Sequence, residues 1–116
     1  MLKLWSLLLC LAVLTLPARA AENGKKWIAL TFDDGPSGEL TEQLLDGLAV
    51  RGVKATFFVC GYRVADYPDA LRRIAAGGHE IGLHSDRHDY MQKMDEAAVR
   101  DDLERCRNAV EECCGT

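Results

Sequence analysis

An alternation of apolar strand-like runs with amphipathic helical stretches limits what this chain can fold into. Trp27–Phe32 (WIALTF) is nearly continuous in apolar character, Lys54–Cys60 (KATFFVC) is rich in aromatic and β-branched residues, and His79–Ser85 (HEIGLHS) forms a third such segment. Continuous rather than alternating apolar runs predict strands covered on both faces, as in parallel sheets, with Trp27 in the core. Between and after them lie three helical segments. Ser37–Gly52 carries Leu40, Leu44, Leu45 and Leu48 at helical spacing, with Ser37 as cap and Gly52 as stop. Tyr67–Gly78 has Pro68 near its start and two glycines after it. Met94–Gly115 has Asp95 as cap and an apolar stripe of Val99, Leu103, Cys106 and Val110. The order β-α-β-α-β-loop-α implies parallel strands layered with helices. An open doubly wound sheet and a (β/α) barrel both satisfy it, and both gather chemistry beyond the C-terminal ends of their strands.

The domain begins after an export signal. A short basic start (Met1-Leu2-Lys3) precedes an apolar run from Leu4 to Leu16, and Ala18-Arg19-Ala20 fits small-x-small cleavage before Ala21. That run is shorter than the ~20 residues a membrane span needs. Residues 1–20 are therefore expected to be a signal peptide and residues 21–116 the mature chain, secreted or in the cell envelope, with an uncleaved anchor as the alternative. The mature chain has 12 basic and 18 acidic residues, a net charge of −6 with histidine neutral. It shows no basic patch, which argues against nucleic acid as a partner. An oxidising compartment allows disulfides. Of the remaining Cys60, Cys106, Cys113 and Cys114, the pair Cys106–Cys113 would stand about 10 Å apart along one helix, too far to bridge. A bond from Cys60 to one of the others and buried free thiols both remain open, and the absence of a Cys-x-x-Cys pair disfavours a cysteine zinc site.

The residues that carry chemistry sit at the strand ends. Asp33 and Asp34 follow the first strand, in Thr-Phe-Asp-Asp-Gly-Pro (Thr31–Pro36), and His84 and His88 follow the third, in His-Ser-Asp-Arg-His. Alone, the first motif reads as a turn and the second as a solvated histidine pair. On neighbouring parallel strands they meet at one rim. Two imidazoles and one carboxylate suit a divalent metal with positions left open for water and substrate. The metal would neutralise one aspartate and leave the other ionised beside it as a base. His79 opens its strand after two glycines and reads as structural. Asp86 and Asp89 read as loop charges, with Asp86 able to orient an imidazole. Arg72 and Arg73 read as an exposed helix face, and Tyr90 and Met91 as loop packing.

The combination of Thr31–Pro36, a βα unit and a further strand, then His84-Ser85-x-x-His88, resembles the NodB-homology polysaccharide deacetylases, also called family 4 carbohydrate esterases. Ala55–Val59 (ATFFV) and Gly78–Ser85 (GHEIGLHS) are similar to that family too, so the resemblance runs from Lys26 to the chain end. It implies an α/β fold, a partial (β/α) barrel. It also implies Asp33 as catalytic base, Asp34, His84 and His88 as metal ligands, and zinc, cobalt or another divalent ion as cofactor. The reaction implied is removal of N- or O-acetyl groups from a glycan such as peptidoglycan, chitin-type oligomers or acetylated xylan. The family's later motifs, an Arg-containing segment and a distal histidine that protonates the leaving amine, have no counterpart here. Residues 21–116 are therefore expected to be the N-terminal portion of a longer deacetylase, inactive alone. The alternatives are a non-catalytic glycan-binding half-domain and a metal-dependent hydrolase of other C–N bonds. No oligomeric state follows from the sequence.

Overall fold

The computed structural model describes Gly24 and residues 26–115. The expected signal peptide and its cleavage position lie outside the described residues. Among the described residues no helix is long and apolar enough to cross a membrane.

Three parallel strands, β1 (Thr31–Gly35), β2 (Thr56–Val59) and β3 (Glu80–Leu83), stand side by side in chain order. Helix α1 (Gly38–Val50) connects the first two. Helices α2 (Gly61–Asp66) and α3 (Pro68–Ala76) connect the second and third, and a 3-10 turn (Met91–Lys93) leads into α4 (Glu96–Cys114). This is the α/β alternation expected. The order β1-β2-β3 never reverses, so the described strands contain no switch point of the doubly wound kind and are consistent with the partial (β/α) barrel that the resemblance implies.

The core lies on one face of that wall. Leu45 and Leu48 of α1, Val64 of α2, Leu71 and Ile74 of α3 and Val110 of α4 close over Phe57 and Val59 of β2. Each such side chain contributes about 1.5–3 kcal/mol when fully buried. Strand alternation puts Thr56, Phe58, Glu80 and Gly82 on the other face, where Thr56 donates its hydroxyl proton to Glu80 at 2.7 Å. The expectation of strands covered on both faces is thus not met, because the helices pack against one side only and burial along β2 alternates.

The first strand is also displaced. Trp27 and Ile28 precede it and are 79% and 84% exposed, so Trp27 is not core. From the Trp27–Phe32 run, Phe32 joins the core edge, its ring 5.3 Å from that of Phe57. In α1 the inward stripe is Thr41, Leu45 and Leu48, while Leu40 falls on the flank and is exposed. Ser37 holds the N-cap position, but its side chain caps nothing; its backbone N–H instead donates to the Thr41 hydroxyl at 2.8 Å, which satisfies that buried oxygen. Asp95 caps α4 as expected, accepting the Ala98 N–H at 2.8 Å. The second helical segment is observed as α3, with the short α2 ahead of it as an element the sequence reading did not contain.

Candidate metal centre

The two aspartates lie inside β1 rather than beyond it. Phe32 pairs with Phe57, yet Gly35 pairs with Val59, so three steps along β1 match two along β2. The extra residue is a bulge at the Asp33–Asp34 pair, and bulges re-aim side chains. Asp34 has φ 65°, a left-handed conformation that aspartate enters more readily than most residues. Both aspartates are exposed, and among the described residues the ion pairs of this loop go to Asp34.

The histidines come from the loop after β3. The His84 N–H donates to the Val59 carbonyl at 2.8 Å and so continues the β2–β3 ladder. Ser85 and His88 then take φ of 69° and 61°. Left-handed non-glycine residues cost about 1–3 kcal/mol each and persist where neighbouring contacts fix them. Here the buried Ser85 hydroxyl accepts the His88 N–H at 2.6 Å, and the Ser85 and Asp86 carbonyls accept the N–H groups of Gly61 and Tyr62 at 3.1 and 3.0 Å. Cys60 joins the two loops. Its N–H donates to the Gly35 carbonyl at 2.9 Å and its thiol to the His84 carbonyl at 3.2 Å. Burial, and after it the charge of Asp34, push this thiol up to about 11, so it stays a protonated donor.

The Nε2 atoms of His84 and His88 lie 3.2 and 3.1 Å from Asp34 Oδ1, and the two rings are 5.2 Å apart between centroids. One ligand atom from each of Asp34, His84 and His88 falls within 4.8 Å of the other two. The donor set fits a divalent cation: two imidazole nitrogens and a carboxylate oxygen converge at a partly exposed rim, which leaves coordination positions on the solvent side. Next to His88 an open groove of about 290 Å³ runs between Leu83, Ser85, Met91 and Leu103.

Several other candidates take different places. The Asp86 carboxylate is not directed at either imidazole; it accepts from Arg105 Nε at 3.1 Å and lies 4.0 Å from Arg87. His79 is structural, as expected, and sits at the opposite end of β3. Its Nδ1 accepts the Ala55 N–H at 3.2 Å, its ring meets Phe57 edge-on, and burial, with Lys54 second, lowers its pKa. Arg73 is exposed as expected but bridges α3 to Glu42 and Asp46 of α1 at 2.5 and 2.7 Å. Tyr90 does not pack into the loop; it is exposed, with the Lys93 ammonium 5.0 Å from its ring centre. Asp89 is exposed. The four cysteines among the described residues are free thiols, one of the two alternatives. One functional candidate was missed. Asp102 is 1% exposed and accepts the Asp86 N–H at 2.9 Å. Its signal was its spacing, four and eight residues before the buried Cys106 and Val110.

The sequence pattern of the polysaccharide deacetylase family matches residues 20–116. The chain is 40% identical over 98 residues to a chitooligosaccharide deacetylase of Rhizobium leguminosarum bv. trifolii, which covers 84% of this chain and 46% of that protein. Among solved structures, the peptidoglycan deacetylase PdaC from Bacillus subtilis superposes with a TM-score of 0.77 at 38% identity, over 80% of this chain and 46% of that one. A family 4 acetyl xylan esterase from Clostridium thermocellum in complex with a cobalt ion gives 0.74 at 40% identity, over 78% and 45%. The chain therefore spans less than half the length of each of these three relatives.

Proposed function

Since the chain belongs to the polysaccharide deacetylase family, we propose that its residues supply the metal ligands and the catalytic base of a hydrolase that removes acetyl groups from an N-acetylglucosamine-containing glycan. The observation that carries this reading is the meeting of the Asp34 carboxylate with the His84 and His88 imidazoles, with Asp33 next to Asp34 in the chain. Asp34, His84 and His88 hold the ion, taken here as zinc, with cobalt as a working substitute; the relative with cobalt supports a divalent ion without choosing between the two. When bound, the ion supplies Lewis acidity, polarising an acyl oxygen and making water acidic enough to act as a nucleophile near neutral pH. Asp33 accepts the proton that the attacking water gives up, and its exposure leaves it room to reach that water. The groove beside His88 receives the sugar that bears the acetyl group. Chitin-type and peptidoglycan substrates are supported by the relatives that carry those names.

The test is acetate release from N-acetylglucosamine oligomers and from peptidoglycan by the full-length protein loaded with zinc or cobalt. Activity is expected to vanish on chelation and return with the ion, and Asp33→Asn is expected to abolish turnover while metal stays bound. Acetate release that survives complete removal of metal would refute the reading. Ring-opening of small cyclic amides, with no acetate released from either glycan, would replace it with the other C–N hydrolase class. The export reading, on residues 1–20, is a separate proposal. Mass spectrometry of secreted material should find Ala21 at the N-terminus, and intact Met1 in the membrane fraction would overturn it.

A further inference from the structure

Two of the side chains that hold the histidine loop come from a helix that contributes nothing to the proposed ligand set. Asp102, on α4, is among the most completely buried side chains of the protein. A carboxylate so placed is unfavourable unless its oxygens are paired. One oxygen accepts the backbone N–H of Asp86 at 2.9 Å, and the other lies 3.7 Å from Arg105 Nη2. Arg105 in turn donates through Nε to the Asp86 carboxylate at 3.1 Å, while Asp101 holds its Nη1 side. Asp86 is thus gripped from α4 by its amide and its carboxylate together, and from α2 by its carbonyl through Tyr62 N–H. It lies midway between His84 and His88, in a loop whose two left-handed residues, Ser85 and His88, set the directions of the imidazoles.

We propose that Asp102 and Arg105 are positioning residues: by holding Asp86 they fix the loop that aims His84 and His88 at Asp34, and so set the affinity of the centre for its ion. The inference rests on the metal-centre reading given above. Asp102 touches neither imidazole and no substrate; it acts through Asp86. A purely structural role, tying α4 to the sheet, is the competing account, and the core packing of Val110 and the Cys106 thiol donating to the Val59 carbonyl at 3.3 Å already serve that end.

The two accounts separate on three readouts in the full chain: backbone amide exchange at Asp86 without metal, the cobalt dissociation constant, and the cobalt d–d absorption spectrum. Asp102→Asn keeps an acceptor oxygen for the Asp86 N–H and should leave cobalt affinity within about threefold of wild type. Asp102→Leu removes the acceptor. It should expose the Asp86 amide to exchange, weaken cobalt binding about 10- to 100-fold and shift the spectrum, since losses of this size follow removal of groups that orient ligands. A folded Asp102→Leu protein with wild-type affinity and spectrum would overturn the proposal. Equal weakening in Asp102→Asn and Asp102→Leu would overturn it as well, because the hydrogen bond would not be the cause. If Asp102→Leu fails to fold, Arg105→Met decides, at a half-exposed position. It should weaken cobalt binding three- to tenfold, and an unchanged affinity refutes the proposal. Failure of the metal-centre reading shows separately, as a wild-type chain that binds no cobalt, and removes this inference with it.

Discussion

Replacing Gly61 by alanine sets two physical effects against each other. Gly61 opens α2, directly after the Cys60 that joins the two loops of the centre. Helix propensity alone favours alanine over glycine by up to about 1 kcal/mol. Packing opposes it. A Cβ at this position would press into the Asp86 carboxylate and stand 3.1 Å from Cys106 Cα and 3.3 Å from Asp86 Cα. The last two are backbone atoms of α4 and of the histidine loop, so no side-chain rotation relieves them. Overpacking of this kind costs about 1–3 kcal/mol. The first position of a six-residue helix gains little from propensity, so the net expectation is a loss of roughly 1–2 kcal/mol. In thermal unfolding of a domain this size that is a fall of about 5–15 °C in midpoint. Urea titration should show a lower midpoint with an unchanged slope, and cobalt affinity should fall too, because the relief moves Asp86. A Gly61→Ala protein as stable as wild type, or more stable, would show that α4 and the loop do not meet as closely as described.

The remaining predictions concern burial, caps and protonation. Leu71→Ala, at a fully buried position of α3, should cost about 2–5 kcal/mol in urea unfolding, and a loss below 1 kcal/mol would contradict the core assignment. Asp95→Ala should cost about 1 kcal/mol, whereas Ser37→Ala, whose side chain caps nothing, should cost less than about half of that; a reversed order would contradict the cap geometry. His79 is held neutral by burial and by Lys54, so its folded pKa lies below the ordinary 6.5. The unfolded chain then binds a proton first as pH falls. The stability linked to His79 is fully present above pH 6.5 and is lost as pH drops through its lower folded value. A proton NMR titration of the His79 ring with a midpoint at or above 6.5 would contradict this.

What the sequence made legible was the alternation itself and the two motifs. Strands and helices of different period are separable by pattern, and parallel topology brings the aspartates of Thr31–Pro36, inside β1, to the same rim as His84–His88, which follow β3. The rest depended on tertiary contacts. The run Trp27–Phe32 is apolar throughout, but an apolar run does not say where hydrogen bonding to β2 begins, and pairing starts at Thr31. Helix α2 is only six residues long, too short to show a period. Leu40 and Thr41 are neighbours at the edge of one stripe, and the hydroxyl, not the leucine, turns inward because the Ser37 N–H meets it there. The bulge at Asp33–Asp34 left no composition signal, although it shifts the register of the strand that carries both carboxylates. Asp102 was passed over because a charged residue on an amphipathic helix is ordinarily solvated.

Isothermal titration of the metal-free chain with zinc, run on wild type and on Asp33→Asn, Asp34→Ala, His84→Ala and His88→Ala, tests the division of labour between Asp33 and its neighbours directly. Wild type and Asp33→Asn should each take up one ion per chain with affinities within about threefold, since the substitution removes a base and no ligand. Each of the other three should lose about 10-fold or more. An Asp33→Asn chain that loses zinc as completely as His84→Ala, or a wild type that binds none, would contradict the assignment of base and ligands.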